Sequence, residues 1–410
     1  MREMRAVRFI GDNKEVFTMG LGATIISSLV ALTAGLFLSS LSDYLTLLPG
    51  LMIVLYAAIG MRGTIFGAMG SRLGTAMHIG TFEVSFRKGS VLRANFESSI
   101  VLSLFMSLAM GLAARGLLLL MGNDSITLSQ FVFISIVGGM LASFLLLLLN
   151  VLMAREGFKR DWDIDNISSP LMAAAGDLIT LPMIFLASWM VLHSPLWAID
   201  TAFVVLTSIT ILLFLRILLR KSERRRFDEA RRIVKYSSPI LLICLVPGLT
   251  AGLVIDSQVE TLISSAALLI LLPAFLNEGN ALSGILTSRL SSMIHMGTLQ
   301  PDPVPSRIAG ENFLIVYTLA VPVFLILGIC AHWLAMISGA TTPGLATMLG
   351  ISLVAGLIAV TILNILCYYI AVGATRLDLN PDDHSIPLAT STMDMLGTVV
   401  FVAIVILFAV

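Results

Sequence analysis

Apolar residues in this chain run in long blocks instead of alternating with polar ones. Eleven blocks reach the length of roughly 18 residues that marks a membrane-spanning helix. They fall at about 16–40, 47–69, 97–121, 128–153, 168–192, 196–218, 237–256, 260–284, 313–337, 345–371 and 386–409. Short polar segments separate them. The pattern predicts an all-α polytopic membrane protein of about 11 transmembrane helices. Two stretches, 47–80 and 260–297, exceed one span and carry Gly60, Gly63, Gly67 and Gly70, or Pro273, Gly279 and Gly284. These are expected to be kinked or interrupted helices.

The blocks repeat. A shift of 217 residues lays Leu32-Thr33-Ala34-Gly35-Leu36 on Leu249-Thr250-Ala251-Gly252-Leu253, and Ser71-Arg72-Leu73 on Ser288-Arg289-Leu290. It lays His78 on His295, Asn95-Phe96 on Asn312-Phe313, Pro170-Leu171 on Pro387-Leu388, and Asp177 on Asp394. A gapless register of this length is a duplicated unit. Each copy holds five spans, and a sixth span returns the chain before the second copy begins. The reading is an N-terminal tail 1–14, a first repeat 15–194, a linker span 195–220, a basic loop 221–231 and a second repeat 232–410. Two parallel five-helix repeats then share a pseudo-twofold axis along the membrane normal. The pseudo-dimer is contained in one chain, which is expected to work as a monomer with its pathway between the repeats.

Composition supports the bilayer as solvent. Hydrophobic residues make up 57% of the chain and charged residues 12%, against about 25% charged in a soluble domain. The net charge is zero, and nothing in it points to a nucleic-acid partner. The distribution is uneven. Lys and Arg gather at Arg2 to Lys14, Arg72 to Arg93, Arg155 to Arg160, Arg216 to Lys235, Arg289/Arg307 and Arg376, while the intervening loops have almost none. The positive-inside rule places the basic set, and with it the N-terminus, in the cytoplasm and the C-terminus outside. The plasma membrane is the expected location. The stretch behind the basic N-terminus reads as a retained span and not as a cleaved signal. Cys244, Cys330 and Cys367 lie in apolar segments without paired spacing, so no disulfide framework or thiolate site is expected.

The chemistry concentrates on Asp177 and Asp394, each seven residues after a proline and inside an apolar span. A carboxylate deep in a span costs about 2.5–3.5 kcal/mol on insertion scales and faces a cavity or a partner. Neither local segment offers a Lys or Arg. Brought together across a pseudo-twofold axis, the two would repel unless they shared a proton or a cation. Carboxylate, hydroxyl and amide oxygens suit hard ions such as Mg²⁺, Ca²⁺ or Mn²⁺, and Na⁺ or H⁺ stays open on these grounds. Thr390, Ser391 and Thr398 supply further oxygens near Asp394. A second constellation, Asn277, Glu278 and Asn280, is expected to line the pathway. Arg62 could pair with Glu278 across the pseudo-dimer, or both could be end-of-span charges reaching the interface.

The smaller signals have ordinary readings. His78 and His295 read as hydrogen-bonding helix ends, Arg72 and Arg289 as anchors, and Asn95 and Asn312 as caps. Asp161, Asp163, Asp165, Asp378, Asp382 and Asp383 form acidic clusters at the cytoplasmic mouth. The chain shows neither an activated nucleophile nor a multi-His metal centre, so an enzyme is not expected. An organic-solute carrier coupled to Na⁺ or H⁺ is the alternative to cation transport.

These residues also resemble a family. Pro273-x5-Gly279-Asn280, followed by Ser288-Arg289-Leu290 and His295-x-Gly297, is similar to the second-span motif of MgtE-type divalent-cation transporters. Asp382-x4-Pro387-x6-Asp394 and Asp165-x4-Pro170-x6-Asp177 resemble that family's fifth-span motif. The resemblance implies that Asp177 and Asp394 bind Mg²⁺ as the transported ion. Two fused copies without cytoplasmic sensor domains are similar to the eukaryotic solute-carrier branch of magnesium transporters. Arg62-Gly63 departs from the Gly-Asn pair of the motif.

Overall fold

The computed structural model describes the backbone of residues 14–123, 125–160, 164–220, 229–377 and 385–408, and the side chains of these except 14–23, 78, 160, 164–171, 173 and 386. Among the described residues there are thirteen helices and no strand. They are α1 (Lys14–Ser39), α2 (Ser42–Leu47), α3 (Leu51–His78), α4 (Val91–Met121), α5 (Leu128–Arg160), α6 (Ile164–His193), α7 (Leu196–Leu218), α8 (Glu229–Asp256), α9 (Val259–Ser264), α10 (Ala266–His295), α11 (Arg307–Ser338), α12 (Leu345–Arg376) and α13 (Ile386–Leu407). Ten of them, α3 to α8 and α10 to α13, contain stretches long and apolar enough to cross a membrane. The described apolar part of α1 is the shorter Thr24–Ser39. The whole helix has 26 residues, about 39 Å at 1.5 Å per residue.

The expected interruption of the second span lies elsewhere. Both α3 and α10 run without a break through the glycines and through Pro273. The chain breaks one step earlier, where the short α2 and α9 precede them. Pro49 cannot donate to a helix, and Gly50 takes a left-handed φ of 87° at the N-cap of α3. At α10 the first amides are satisfied from outside: Ala266 N–H donates to Thr341 Oγ1 and Ala267 N–H to the Thr341 carbonyl, both at 2.9 Å.

The chain forms two compact units, Met1–Ser39 with Glu260–Val410, and Ser40–Val259. In the second unit α3 is the central helix, packed by α4, α5, α6 and α8. In the first unit α10 is central, packed by α1, α11, α12 and α13. The first helix of each sequence repeat therefore packs with the second helix of the other copy. Glycines make this possible. A Cβ on Gly252 would lie 2.5 Å from Ile53 Cα, and one on Gly35 would collide with the Ile270 backbone. These are the glycines of the repeated Leu-Thr-Ala-Gly-Leu segments, and the shift that relates them also relates Ile53 to Ile270. Small residues that let helix backbones touch are a recurrent device of membrane interfaces.

The two units repeat one another in detail. Gly122 and Gly339 close α4 and α11 with φ of 70° and 73°. Ser135 Oγ donates to the Ser107 carbonyl at 2.7 Å, and Ser352 Oγ to the Phe324 carbonyl at 2.6 Å. Asn150 Nδ2 donates to the Phe66 carbonyl at 3.0 Å, where the second copy sets Cys367 Sγ on the Ser283 carbonyl at 3.7 Å. The linker helix α7 has no counterpart. It lies along α4 and α5 through Leu104, Leu108, Val132 and Ile136 against Phe203, Leu206 and Leu213. Phe105 and Phe214 stack at 4.0 Å. Its other face leaves Trp197, Val204 and Leu212 exposed, as a lipid-facing helix requires.

Candidate functional site

Asp394 lies two turns into α13 and is half-buried. Asn280 Nδ2 on α10 donates to its Oδ1 at 2.7 Å, so the amide fixes the carboxylate without neutralising it. Among the described residues no Lys or Arg stands within ion-pair distance of Asp394. The other amide atom, Asn280 Oδ1, is buried without a hydrogen-bond partner. Gly279 and Gly397 lie where α10 and α13 pack: a Cβ on Gly279 would be 3.5 Å from Met393 Cγ, and one on Gly397 3.3 Å from Leu276 Cδ2. Of the hydroxyls, Thr390 and Ser391 precede Asp394 by four and three residues and Thr398 follows it by four, which puts all three on its side of the helix. Thr390 Oγ1 donates to the Pro387 carbonyl at 3.2 Å. Ser391 is buried, and Thr398 Oγ1 is fully buried without a partner.

Asp177 on α6 is half-buried in the second unit. The residue before it, Gly176, faces the backbone of α3, and a Cβ there would lie 3.6 Å from Gly63 N. Gly63 is the counterpart of Asn280, so this copy supplies no side-chain amide at the corresponding point. The duplicated carboxylates thus have unequal local environments. Asp161, Asp163, Asp378, Asp382 and Asp383 lie outside the described residues, as does the side chain of Asp165.

The Asn277, Glu278 and Asn280 constellation does not act as one cluster. Glu278 and Asn280 are about 200° apart around a helix. While Asn280 turns to α13, Glu278 turns to α1 and accepts from Ser28 Oγ at 3.0 Å. Asn277 is 7% exposed, and its Nδ2 has no partner.

Arg62 and Glu278 are both 0% exposed, which overturns the end-of-span reading for each. Arg62 Nη2 donates to Ser107 Oγ at 2.8 Å, and the guanidinium packs over Gly139. The counterparts of Arg62, Ser107 and Gly139 are Gly279, Phe324 and Gly356. In the first unit it is the Phe324 ring that packs over Gly356. Each unit fills the same volume, one from the central helix with Arg62 and the other from α11 with Phe324. Arg62 in place of the motif glycine is therefore a packing exchange within the bundle.

The remaining repeated residues are structural. Arg72 Nε donates to Asn95 Oδ1 at 2.7 Å and Arg289 Nε to Asn312 Oδ1 at 3.0 Å. These bonds tie α3 to α4 and α10 to α11. The expected capping role of the asparagines falls instead to Ser90 and Ser306, whose hydroxyls accept from Arg93 N–H and Ala309 N–H. His295 Nδ1 bonds the Ser291 carbonyl at 2.8 Å. The side chain of His78 lies outside the described residues. Among those residues no group of three or more His, Cys, Asp or Glu could hold a metal ion. A hard cation here would be held by few carboxylates and by water, as Mg²⁺ commonly is.

Comparison with known proteins gives the same duplication. The family model described as a divalent cation transporter, MgtE, matches twice, over residues 55–187 and 272–404. The two matches are offset by the shift that relates Asp177 to Asp394. Solute carrier family 41 member 3 of Rattus norvegicus is 24% identical over 91% of this chain and 83% of its own length. Solute carrier family 41 member 2 of Gallus gallus is 21% identical over 91% of this chain and 67% of its own. The Homo sapiens member 2 is 24% identical over 84% and 62% respectively. No solved structure matches. The chain belongs to the MgtE family of divalent cation transporters.

Proposed function

We propose that this chain carries Mg²⁺ across a lipid bilayer and that Asp394 and Asp177 hold the ion with part of its water shell. The observation that carries the reading is the Asn280–Asp394 bond of 2.7 Å. An amide holds a carboxylate inside an apolar helix, and no Lys or Arg among the described residues neutralises it. An ion-paired aspartate would be a helix-packing device. An aspartate set in place by a neutral donor leaves its remaining oxygen for a mobile cation. Mg²⁺ sheds water reluctantly and is typically bound by one or two carboxylates through retained waters. Asn280 Oδ1, lacking any other partner, is an acceptor for such a water, as is the Thr398 hydroxyl.

The family membership supplies a divalent cargo. The oxygen-only donor set narrows it to a hard ion. The basic loops lie on the cytoplasmic face of the plasma membrane, with the N-terminus inside and the C-terminus outside. The reading is tested by reconstituting the purified chain in liposomes that enclose a Mg²⁺-sensitive dye. Dye signal above that of empty liposomes is expected when Mg²⁺ is added outside. A signal equal to that of empty liposomes, from protein that remains monodisperse, would defeat the assignment.

A further inference from the structure

Glu278 is a fully buried acid that the Asn280–Asp394 pair does not account for. It lies mid-way along α10 at 0% exposure. Ser28 Oγ on α1 donates to its Oε2 at 3.0 Å, and Oε1 is buried with no partner. No Lys or Arg among the described residues is within ion-pair distance of it. A carboxylate left ionised in such surroundings is costly, and one hydroxyl does not offset it.

The duplication gives a control within the molecule. The counterparts of Glu278 and Ser28 are Met61 and Leu245, both buried and apolar. The same helix pairing is therefore built in the second unit without any polar group at these positions. The fold does not need the acid there. An intramembrane acid that packing does not require is a functional site by default.

We propose that Glu278 is a proton-binding site of the transport cycle, separate from the aspartates that hold the divalent ion; this rests on the reading of the chain as a Mg²⁺ carrier. A proton from the aqueous phase bonds Oε1 to give the neutral acid, and the same O–H bond breaks when the proton is returned. Oε2 keeps the Ser28 hydrogen bond in both forms. A proton fits better than a metal ion, because a bound Na⁺ or Mg²⁺ needs several oxygens. The two carboxylate oxygens and Ser28 Oγ are what the site offers.

The surrounding groups leave Glu278 as the titrating side chain. The described side chains of α1, Thr24 to Ser39, include none that titrates. On α13, Asp394 is engaged by Asn280 on another side of α10. On α12, Cys367 is directed at the Ser283 carbonyl, while Tyr368, Tyr369 and Arg376 bond the carbonyls of residues 301–304. On α11, Arg307 pairs with Glu311, Tyr317 bonds Thr361, His332 bonds Thr342, and Cys330 is half-buried. On α10 itself Arg289 bonds Asn312 and His295 bonds the Ser291 carbonyl.

The test uses proteoliposomes that enclose both a Mg²⁺ dye and a pH dye. Wild type is expected to move protons only when Mg²⁺ moves. Glu278→Gln should cut the Mg²⁺-dependent pH signal at least tenfold while Mg²⁺ still raises the thermal unfolding temperature, a response that a misfolded variant would lack. Ser28→Ala should keep flux but displace its pH profile, which a packing role would leave in place. Mg²⁺ flux with no proton movement would overturn this proposal alone, as would an undiminished pH signal in Glu278→Gln or flux that follows a Na⁺ gradient in place of a pH gradient. Protein that moves no Mg²⁺ would overturn both readings.

Discussion

At the scale of the residue, the central contact is the one that positions Asp394. Asn280 holds it with one N–H, and a hydrogen bond to a charged group is worth roughly 1.5–3 kcal/mol. Asn280→Ala is therefore expected to weaken Mg²⁺ transport by about tenfold or more, at roughly 1.4 kcal/mol per decade. Gly63→Ala, at the matching position of the other copy, removes no such bond and should have a smaller effect. Initial rates of dye-reported flux at several Mg²⁺ concentrations would separate the two, and equal losses would contradict the assigned asymmetry. The aspartates were legible in the sequence because the duplication repeats them, and Asn280 because it is a polar residue beside Gly279 inside an apolar stretch. The partition of Asn277, Glu278 and Asn280 was not, since residues two apart on a helix face different neighbours and only packing names those neighbours. Arg62 misled for a related reason. Its hydrogen-bond partner Ser107, where the other copy has Phe324, lies 45 residues away and leaves no local mark.

At the scale of the element, Gly35 and Gly252 set the contact of α1 with α10 and of α8 with α3. Overpacking a tight contact costs about 1–3 kcal/mol. Gly35→Val and Gly252→Val should each lower the thermal unfolding temperature in detergent. Gly310→Val is a control, since nothing lies within 4 Å of a Cβ there. An unchanged transition in the first two would show that these helices do not meet as described. The repeated Leu-Thr-Ala-Gly-Leu segments were visible from the start, but their purpose was not. A glycine in an apolar run can mark a bend, a cap or a crossing, and α3 and α10 run unbroken through several of them. The break before α3 comes instead from Pro49-Gly50, a short signal that hydropathy alone passes over.

At the scale of the whole molecule, duplication and charge asymmetry carried the architecture, because a long apolar block has few options other than a spanning helix. The exchange of first helices between copies was invisible to them, since hydropathy and repeat register order the helices along the chain but do not pair them. The proposed orientation has its own check. With Cys244, Cys330 and Cys367 replaced by Ala, Asn123→Cys should react with a membrane-impermeant thiol reagent applied to intact cells, and Lys88→Cys should react only after lysis. The reverse pattern would invert the topology. The most direct test of the central claim is Mg²⁺ flux into proteoliposomes for wild type beside Asp177→Asn combined with Asp394→Asn, matched for amount and unfolding temperature. The account predicts that the double variant falls to the level of empty liposomes, and flux equal to wild type would contradict it.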